Sequence, residues 1–264
     1  MSRIALTPML QDEYRHLFAS CELRSEHAAA LDALASAVWL DRDRYQAVGA
    51  PLGIPWFVVA AWHYGESGRD FGVHPHNGDP LTERTRHLPN GRPLVGEPPF
   101  RWEESATDAL CLRHVHQWSD WSVAGVLFTL ESQGGWRYRL RQPPVHSPYL
   151  WHGSTHYQHG KYVTDDLWSD TAIPQRYGAA VLLRRLAERD LIAFPSEHDS
   201  ACRPLIGYLE GETSPWVAAL QRFLNTLPGI YVKVDGQAGP QTSAAFHKLV
   251  GRRLPGDPQD RDPA

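Results

Sequence analysis

The stretch GIPWFVVAAWHYGE, from Gly53 to Glu66, decides how the rest of this chain can fold. Read as a helix, it is apolar on nearly every face, and a helix of that kind is buried inside a domain. Pro55 suits the first turn, because its missing N–H has no helical partner there. The pattern therefore predicts a buried helix over about 54–66, with other elements packed around it.

Glu66 lies at the end of this helix and is the first candidate for chemistry. Trp62 and Tyr64 flank it, and the apolar helix removes water from its base. Burial disfavours a carboxylate and raises its pKa, which suits a general acid. The alternative is that Glu66 pairs at the surface, for example with Arg69. We expect Glu66 to be catalytic.

The following polar stretch, Ser67 to Pro93, carries a candidate second acid, Asp79. The pair Asn77-Gly78 before it is a tight-turn signal, so we predict a hairpin or three-stranded flap over 70–99. Such a flap could bring Asp79 across a cleft from Glu66. Carboxyls roughly 6.5–9.5 Å apart would invert a cleaved glycosidic bond, and roughly 5–5.5 Å would retain its configuration. Asp79 could instead only form the turn, and Asp70 is a second candidate that supports Glu66.

Further residues are candidates for substrate contact. Thr82, or Thr85 beside it, could hold a water molecule, and His76 could orient an acid through a hydrogen bond. Glu131 ends a second apolar helix and either contacts substrate or binds Arg137 or Arg139. Aromatic rings can stack on sugars and bond hydroxyls with their polar tips, or simply pack on the helices. The complete set of expected substrate contacts is Thr82, His76, Asn77, Glu131, Tyr138, Tyr149, Trp151 and Tyr157.

Composition limits the class of protein. The 264 residues are 42% hydrophobic and 21% charged with a net charge of −4, as in ordinary globular proteins, and no basic stripe suggests nucleic acid. No apolar run approaches the length of a membrane span, and the N-terminus does not resemble a secretory signal. The 14 histidines include no HExxH motif and no Cys-His set, so we expect no metal and no cofactor.

The chain is predicted to be mainly α, of the α+β class, with two modules. Residues 1–195 would form the large domain, with 1–50 as its helical N-terminal part and further helices over 102–116, 121–132 and 173–190. A connector at 196–214 leads to a small helical module at 215–254, and we expect a disordered tail over 255–264.

The small module resembles a peptidoglycan-binding three-helix module. The resemblance rests on Val217-xx-Leu220-Gln221-xx-Leu224-Asn225 and on Val234-Asp235-Gly236-xx-Gly239-Pro240-x-Thr242-xx-Ala245. Gly236 and Gly239 permit a tight turn, and Pro240 starts a helix. The resemblance implies cell-wall targeting, and a generic helical tail is the alternative. The wall-binding residues it implies are Trp216, Asp235, Gly239 and Thr242.

The large module resembles the lysozyme-like superfamily, and more closely a bacterial and phage group of muramidase-like proteins. The resemblance covers about 45–180 and is carried by GIPW from Gly53, HYGES from His63, HPHNGDPL from His74, SPYLW from Ser147 and GKYV from Gly160. In that superfamily the glutamate at the helix end is the general acid, which corresponds to Glu66. The resemblance implies a helical catalytic domain with a small β-hairpin flap.

Together these patterns predict a monomeric hydrolase that cleaves β-1,4 bonds in the glycan strands of peptidoglycan. A lytic transglycosylase, a chitosanase- or chitinase-like hydrolase and a non-catalytic peptidoglycan-binding protein are the alternatives. We expect synthesis in the cytoplasm and action on the cell wall after phage lysis or delivery by a secretion system. Delivery machinery and an immunity protein are the further partners that fit such a role.

Overall fold

The computed structural model describes residues 4–164, 167–195, 206–208, 211 and 213–259, without the side chains of Pro215 and Trp216. The chain divides into two compact units, Met1–Glu197 and His198–Ala264. The described residues form eleven α-helices and one two-stranded sheet. The mainly helical class predicted from the sequence is confirmed.

The first unit contains nine of these helices. They are α1 (Pro8–Ala19), α2 (Ala28–Leu40), α3 (Arg42–Gly49), α4 (Trp56–Ser67), α5 (Trp102–Leu112), α6 (Val123–Gly134), α7 (Arg137–Leu140), α8 (Pro148–Trp151) and α9 (Ala179–Glu188). Short 3-10 turns lie at Ser25–His27, Ala50–Leu52 and Val115–Gln117.

Helix α4 lies at the centre of this unit, as its apolar sequence predicted. Every residue from Phe57 to Tyr64 is buried, and α4 contacts α3, α6 and α9. The helix ends at Gly68, whose φ of 67° is the left-handed conformation that glycine adopts without strain. Glu66 therefore sits in the last turn, where the chain leaves the core.

Helix α9 is shorter than the pattern predicted, because it begins at Ala179 and not near Ile173. Gly178 precedes it, and its N–H donates to the carbonyl of His152 over 2.8 Å. A Cβ at position 178 would lie 2.1 Å from the carbonyl oxygen of Leu150. This close approach of two backbones ends the preceding loop and sets the start of the helix.

The predicted hairpin or three-stranded flap over 70–99 is wrong. In that stretch the described backbone forms only an isolated bridge between Val73 and Pro80. Proline has no N–H to donate to a strand ladder, and prolines stand at positions 75, 80, 89, 93, 98 and 99. The only sheet in the described residues pairs β1 (Lys161–Tyr162) antiparallel with β2 (Trp168–Ser169).

The second unit contains α10 (Pro215–Leu224) and α11 (Pro240–Val250). Its apolar contacts include the buried set Leu224, Val232 and Ala245. The expected disordered tail is wrong for residues 255–259, because Asp257 is buried and accepts a hydrogen bond from Ser243. Residues 260–264 and most of the predicted connector lie outside the described residues.

Candidate active site

The C-terminal end of α4 is completed by an arginine from a distant part of the chain. Arg176 donates to the carbonyls of Gly65 and Glu66 over 2.8 and 3.1 Å, which satisfies acceptors that a helix end leaves free. Arg69 binds Asp41 at 2.5 Å. Arg69 is therefore engaged away from Glu66, contrary to the alternative that the sequence left open.

A cleft of about 270 Å³ opens beside this helix end. Helix α4 forms one wall and the last turn of α6 forms another. The lining residues are Ala61, Trp62, Gly65, Glu66, Arg113, Leu130, Gln133, Gly134, Tyr149 and Ala179. Among these residues of the described chain, Glu66 is the single carboxylate.

Burial and charge act on Glu66 in opposite directions. Removal of water raises the pKa of its carboxyl above the ordinary value, and the guanidinium groups of Arg113 and Arg176 oppose that rise. Arg113 lies 3.2 Å from the carboxylate, and 30% of the Glu66 side chain remains exposed. Glu66 is thus a reachable carboxyl that keeps its proton to a higher pH than a free glutamate, which suits a proton donor.

Tyr149, on α8, supplies an aromatic surface to the same cleft. It is 51% exposed, and its ring lies against Gly134, where an added Cβ would be 3.4 Å from the Tyr149 ring. Tyr138 supports it edge-on, with ring centroids 5.8 Å apart. Of the aromatic residues predicted to contact substrate, Tyr149 is the one that lines the cleft with Glu66.

The other predicted aromatic contacts are part of the packing. Tyr138, Trp151 and Tyr157 are each at most 3% exposed. The hydroxyl of Tyr138 accepts from the N–H of Tyr162 at 3.3 Å, and that of Tyr157 donates to Gly160 at 3.0 Å. The hydroxyls of Tyr138 and Tyr157 therefore form hydrogen bonds inside the protein, and all three rings are part of the packing around α8, which carries Tyr149.

Asp79 organises a turn and does not line the cleft. Its carboxylate accepts from the N–H groups of Arg86 and His87 over 2.7 and 2.9 Å, and from the Asn77 amide over 2.9 Å. The His87 ring lies 2.6 Å away. These bonds, led by the one from the His87 backbone, hold the pKa of Asp79 far below its usual range. The structure does not bring Asp79 together with Glu66.

The neighbouring candidates also hold the loop. Thr85 is buried, donates to Pro89 over 2.6 Å and accepts from the N–H of Arg92 over 2.9 Å. Thr82 is exposed and is not among the residues that line the Glu66 cleft. Asn77 spans the turn, donating to Asp79 and to the carbonyl of His87.

His76 and the nearby His74 join the loop to α5, and their rings bind residues of that helix and not Glu66 or Asp79. His74 is 2.6 Å from the hydroxyl of Ser105, and His76 is 2.8 Å from Asp108. Desolvation lowers the pKa of His76, and Asp108 opposes this. The Ser105 hydroxyl also lies 3.4 Å from the His76 ring, which links Ser105, His76 and Asp108. Ser105 is fully buried, so a substrate cannot reach its hydroxyl. Asp70, the other acid considered, accepts from the N–H of Gly72 at the surface.

Glu131 is a buried structural carboxylate. It is 3% exposed, accepts from the hydroxyl of Tyr14 and forms an ion pair with Arg139 at 2.9 Å. Arg139 also binds Glu13 at 2.7 Å. The alternative in which Glu131 binds an arginine is therefore the arrangement observed, and Glu131 does not line the Glu66 cleft.

In the second unit, a buried glutamine links the residues of the wall-binding pattern. The Gln221 amide donates to Asp235 and Thr242 over 2.9 and 3.0 Å, and accepts from the N–H groups of Asp235 and Gly236. Gly239 precedes α11 as its N-cap. Asp235, Gly239 and Thr242 line a groove of about 350 Å³, whereas the side chain of Trp216 lies outside the described residues.

Sequence analysis missed Arg113, Gln133, His87 and Gln221. Arg113 and Gln133 reach the cleft from the ends of two different helices, and no local pattern joins them. The Gln221 position was visible in the quoted pattern, but its role as the centre of the hydrogen bonds was not. For His87 no sequence signal indicated the contact with Asp79.

Comparisons with family models, with curated proteins and with solved structures found no match to this chain. Among the described residues, no group of three or more metal-binding side chains comes together. Within the same residues, none of the helices has the length and apolar character needed to cross a membrane.

Proposed function

We propose that this protein cleaves glycosidic bonds in the glycan strands of peptidoglycan, with Glu66 as the general acid. One observation carries the proposal: a helix-end carboxyl with a raised pKa lies in an open cleft together with the exposed ring of Tyr149. A sugar stacked on Tyr149 would place its glycosidic oxygen within reach of the acid. The peptidoglycan substrate comes from the two resemblances in the sequence.

In this mechanism protonated Glu66 gives its proton to the leaving oxygen as the glycosidic bond breaks. Positive charge develops on the sugar that remains, beside the Glu66 carboxylate so formed. A water molecule then adds its oxygen to the reacting carbon and gives one proton back to Glu66, which completes hydrolysis. Arg113 then stabilises the ionised form of Glu66 at 3.2 Å. Gln133, which also lines the cleft, can bond a sugar hydroxyl or amide.

A lytic transglycosylase is the second candidate, and the single carboxylate in the cleft favours it. Paired carboxylates serve both inverting and retaining hydrolases. With one acid, a hydroxyl of the same sugar can attack the reacting carbon and return its proton to Glu66. The bond that breaks is then replaced by an internal anhydro bond, and no water is consumed.

Digestion of purified peptidoglycan followed by mass analysis of the products tests both candidates. A hydrolase adds the mass of one water to each product pair, whereas a transglycosylase leaves the total mass unchanged. The Glu66→Gln variant should release no product. Release of glycan fragments by that variant at the wild-type rate would reject Glu66 as the acid, and no release by the wild type would reject the function.

We also propose that the second unit binds the cell wall through the groove beside Asp235 and Thr242. Lys233 and Gln241 line this groove at the surface and can change without breaking the Gln221 hydrogen bonds. Lys233→Ala together with Gln241→Ala should weaken sedimentation with insoluble peptidoglycan. The control is Lys248→Ala, an exposed position on α11 that does not line the groove. Equal binding by both variants would contradict the proposal.

A further inference from the structure

A second, larger groove lies next to the Glu66 cleft. Its volume is about 660 Å³, and Arg113 and Gln133 line both spaces. The guanidinium of Arg113 donates to the Gln133 side chain at 3.4 Å, so these two residues form the boundary between them. A long ligand in the Glu66 cleft would reach the larger groove by passing over Arg113 and Gln133.

Three aromatic rings pack against one another in the lining of the larger groove. Trp118 stacks on Phe128 with centroids 5.3 Å apart and planes at 25°, and Phe128 lies 5.0 Å from Trp136. Phe128 is buried, while the two tryptophans remain partly exposed. The Trp118 N–H donates to the Asp120 carbonyl at 2.6 Å, which fixes that ring in place.

The remaining lining is mixed: apolar side chains come from Ile4, Ala5, Leu6 and Val115, and the rest is polar without being acidic. Gln117, Thr129, Ser132 and Gln133 supply amide and hydroxyl groups, and Arg113 supplies a positive charge. No aspartate or glutamate lines the groove in the described chain. Flat rings bordered by hydrogen-bonding groups fit a carbohydrate, whose ring carbons stack while its hydroxyls and acetamides bond at the edge. The absence of carboxylates also suits a sugar that carries an acidic substituent.

We infer that the groove of Trp118, Phe128 and Trp136 binds the part of a glycan strand that lies to one side of the bond cleaved at Glu66. This inference rests on the proposed function. It also specifies the side of the Glu66 cleft on which the glycan strand continues, and it predicts a preference for longer oligomers. The Glu66 cleft, at about 270 Å³, is small beside ligand sites of roughly 300–1,000 Å³. The larger groove supplies the additional contact area, so longer oligomers should bind more tightly than a disaccharide.

Calorimetry on the full-length Glu66→Gln protein tests this, because that variant leaves the oligomers intact. The ligands are a disaccharide of N-acetylglucosamine and N-acetylmuramic acid and longer oligomers of the same repeat. In that background Trp118→Ala and Trp136→Ala should each weaken binding of the longer oligomers about five- to tenfold and leave disaccharide binding unchanged. Trp136→Leu keeps the apolar volume without the flat face and should show the same loss if an alanine variant fails to fold.

Trp39→Ala is the matched control, because Trp39 is a partly buried tryptophan on α2 that does not line either space. The inference would be overturned if the longer oligomers bound all these variants with the same affinity as the control. Tight binding of an apolar peptide in place of the glycan would overturn it as well.

The outcome is separable from that of the proposed function. If the wild type cleaves glycan and needs Glu66, but the tryptophan variants behave like Trp39→Ala, the inference fails alone. If the wild type cleaves nothing, yet binding of long oligomers depends on Trp118 and Trp136, the proposed reaction fails and the binding groove stands.

Discussion

Glu66 and Asp79 are both carboxyls that folding partly removes from water, but their surroundings give them opposite properties. At the end of α4, Glu66 pairs with Arg113, and burial raises its pKa. In the loop, Asp79 accepts hydrogen bonds from two backbone N–H groups and from Asn77, and its pKa is lowered. The comparison teaches that the number of donors around a carboxylate, more than its position in the sequence, separates a proton donor from a structural acceptor.

The largest expected effect is on chemistry at Glu66. Glu66→Gln should lower glycan cleavage at least about 100-fold, because a general acid contributes on the order of that factor or more. Glu103→Gln is the matched control, since Glu103 is also a helix glutamate paired with an arginine, Arg44 at 2.6 Å, outside the cleft. Release of soluble fragments is measured for both. Equal losses in the two variants would show that Glu66 has no special role.

The second prediction is a loss of stability, and not of chemistry, at Asp79. Asp79→Asn should lower the Tm at neutral pH, because the amide is a weaker acceptor for the N–H groups of Arg86 and His87. Cleavage well below the Tm should stay near the wild-type rate. A loss of activity as large as that of Glu66→Gln, in a folded variant, would place Asp79 in the chemistry.

The pH dependence of this stability has a defined sign. The pKa of Asp79 is lower in the folded protein, so its contribution is fully present above the unfolded value of about 3.9 and is lost as pH falls toward the folded value. The Tm difference between wild type and Asp79→Asn should therefore shrink below about pH 4. Thermal unfolding followed across pH 3 to 7 gives the comparison.

A third prediction concerns Arg113, whose positive charge lowers the pKa of Glu66. Arg113→Met removes an interaction that lowers the pKa of Glu66, so the pKa should rise further. Cleavage needs protonated Glu66 and falls as pH rises through that pKa. The alkaline limb of the pH–rate profile should then move to higher pH. If the alkaline limb does not move, Arg113 does not influence the pKa of the catalytic acid.

The smallest expected effect is at Thr82, which lies in the Asp79 loop. Thr82 is exposed and away from the cleft lining. Thr82→Ala should leave cleavage within about twofold of wild type, as surface substitutions usually do. A large fall in the rate, with an unchanged Tm, would indicate that the hydroxyl holds a reacting water. The loop would then be part of the active site.

Local pattern predicted the elements that burial dominates. Helix α4 follows from its apolar run, and Glu66 follows from the end of that run. The prediction for the loop at 70–99 was wrong because Asn77-Gly78 favours a hairpin turn, whereas the prolines lack the backbone N–H groups that pair strands. The side chains of Asp79, Thr85 and His74 form hydrogen bonds with backbone groups of the loop, in place of the missing strand partners. These bonds depend on residues brought together by folding.

The sequence alone was enough to predict the buried central helix and the acid at its end, because an unbroken apolar run marks a buried helix. The helical character of both units followed from the spacing of apolar residues elsewhere in the chain. Only the tertiary structure decided which groups surround each acid. Arg113, Gln133 and Tyr149 meet Glu66 from three separate elements, and the Asp79 donors come from its own loop. The pKa of a carboxyl responds to charges and hydrogen-bond donors within a few ångströms. The separation of two residues along the sequence does not show whether they lie that close in the folded protein.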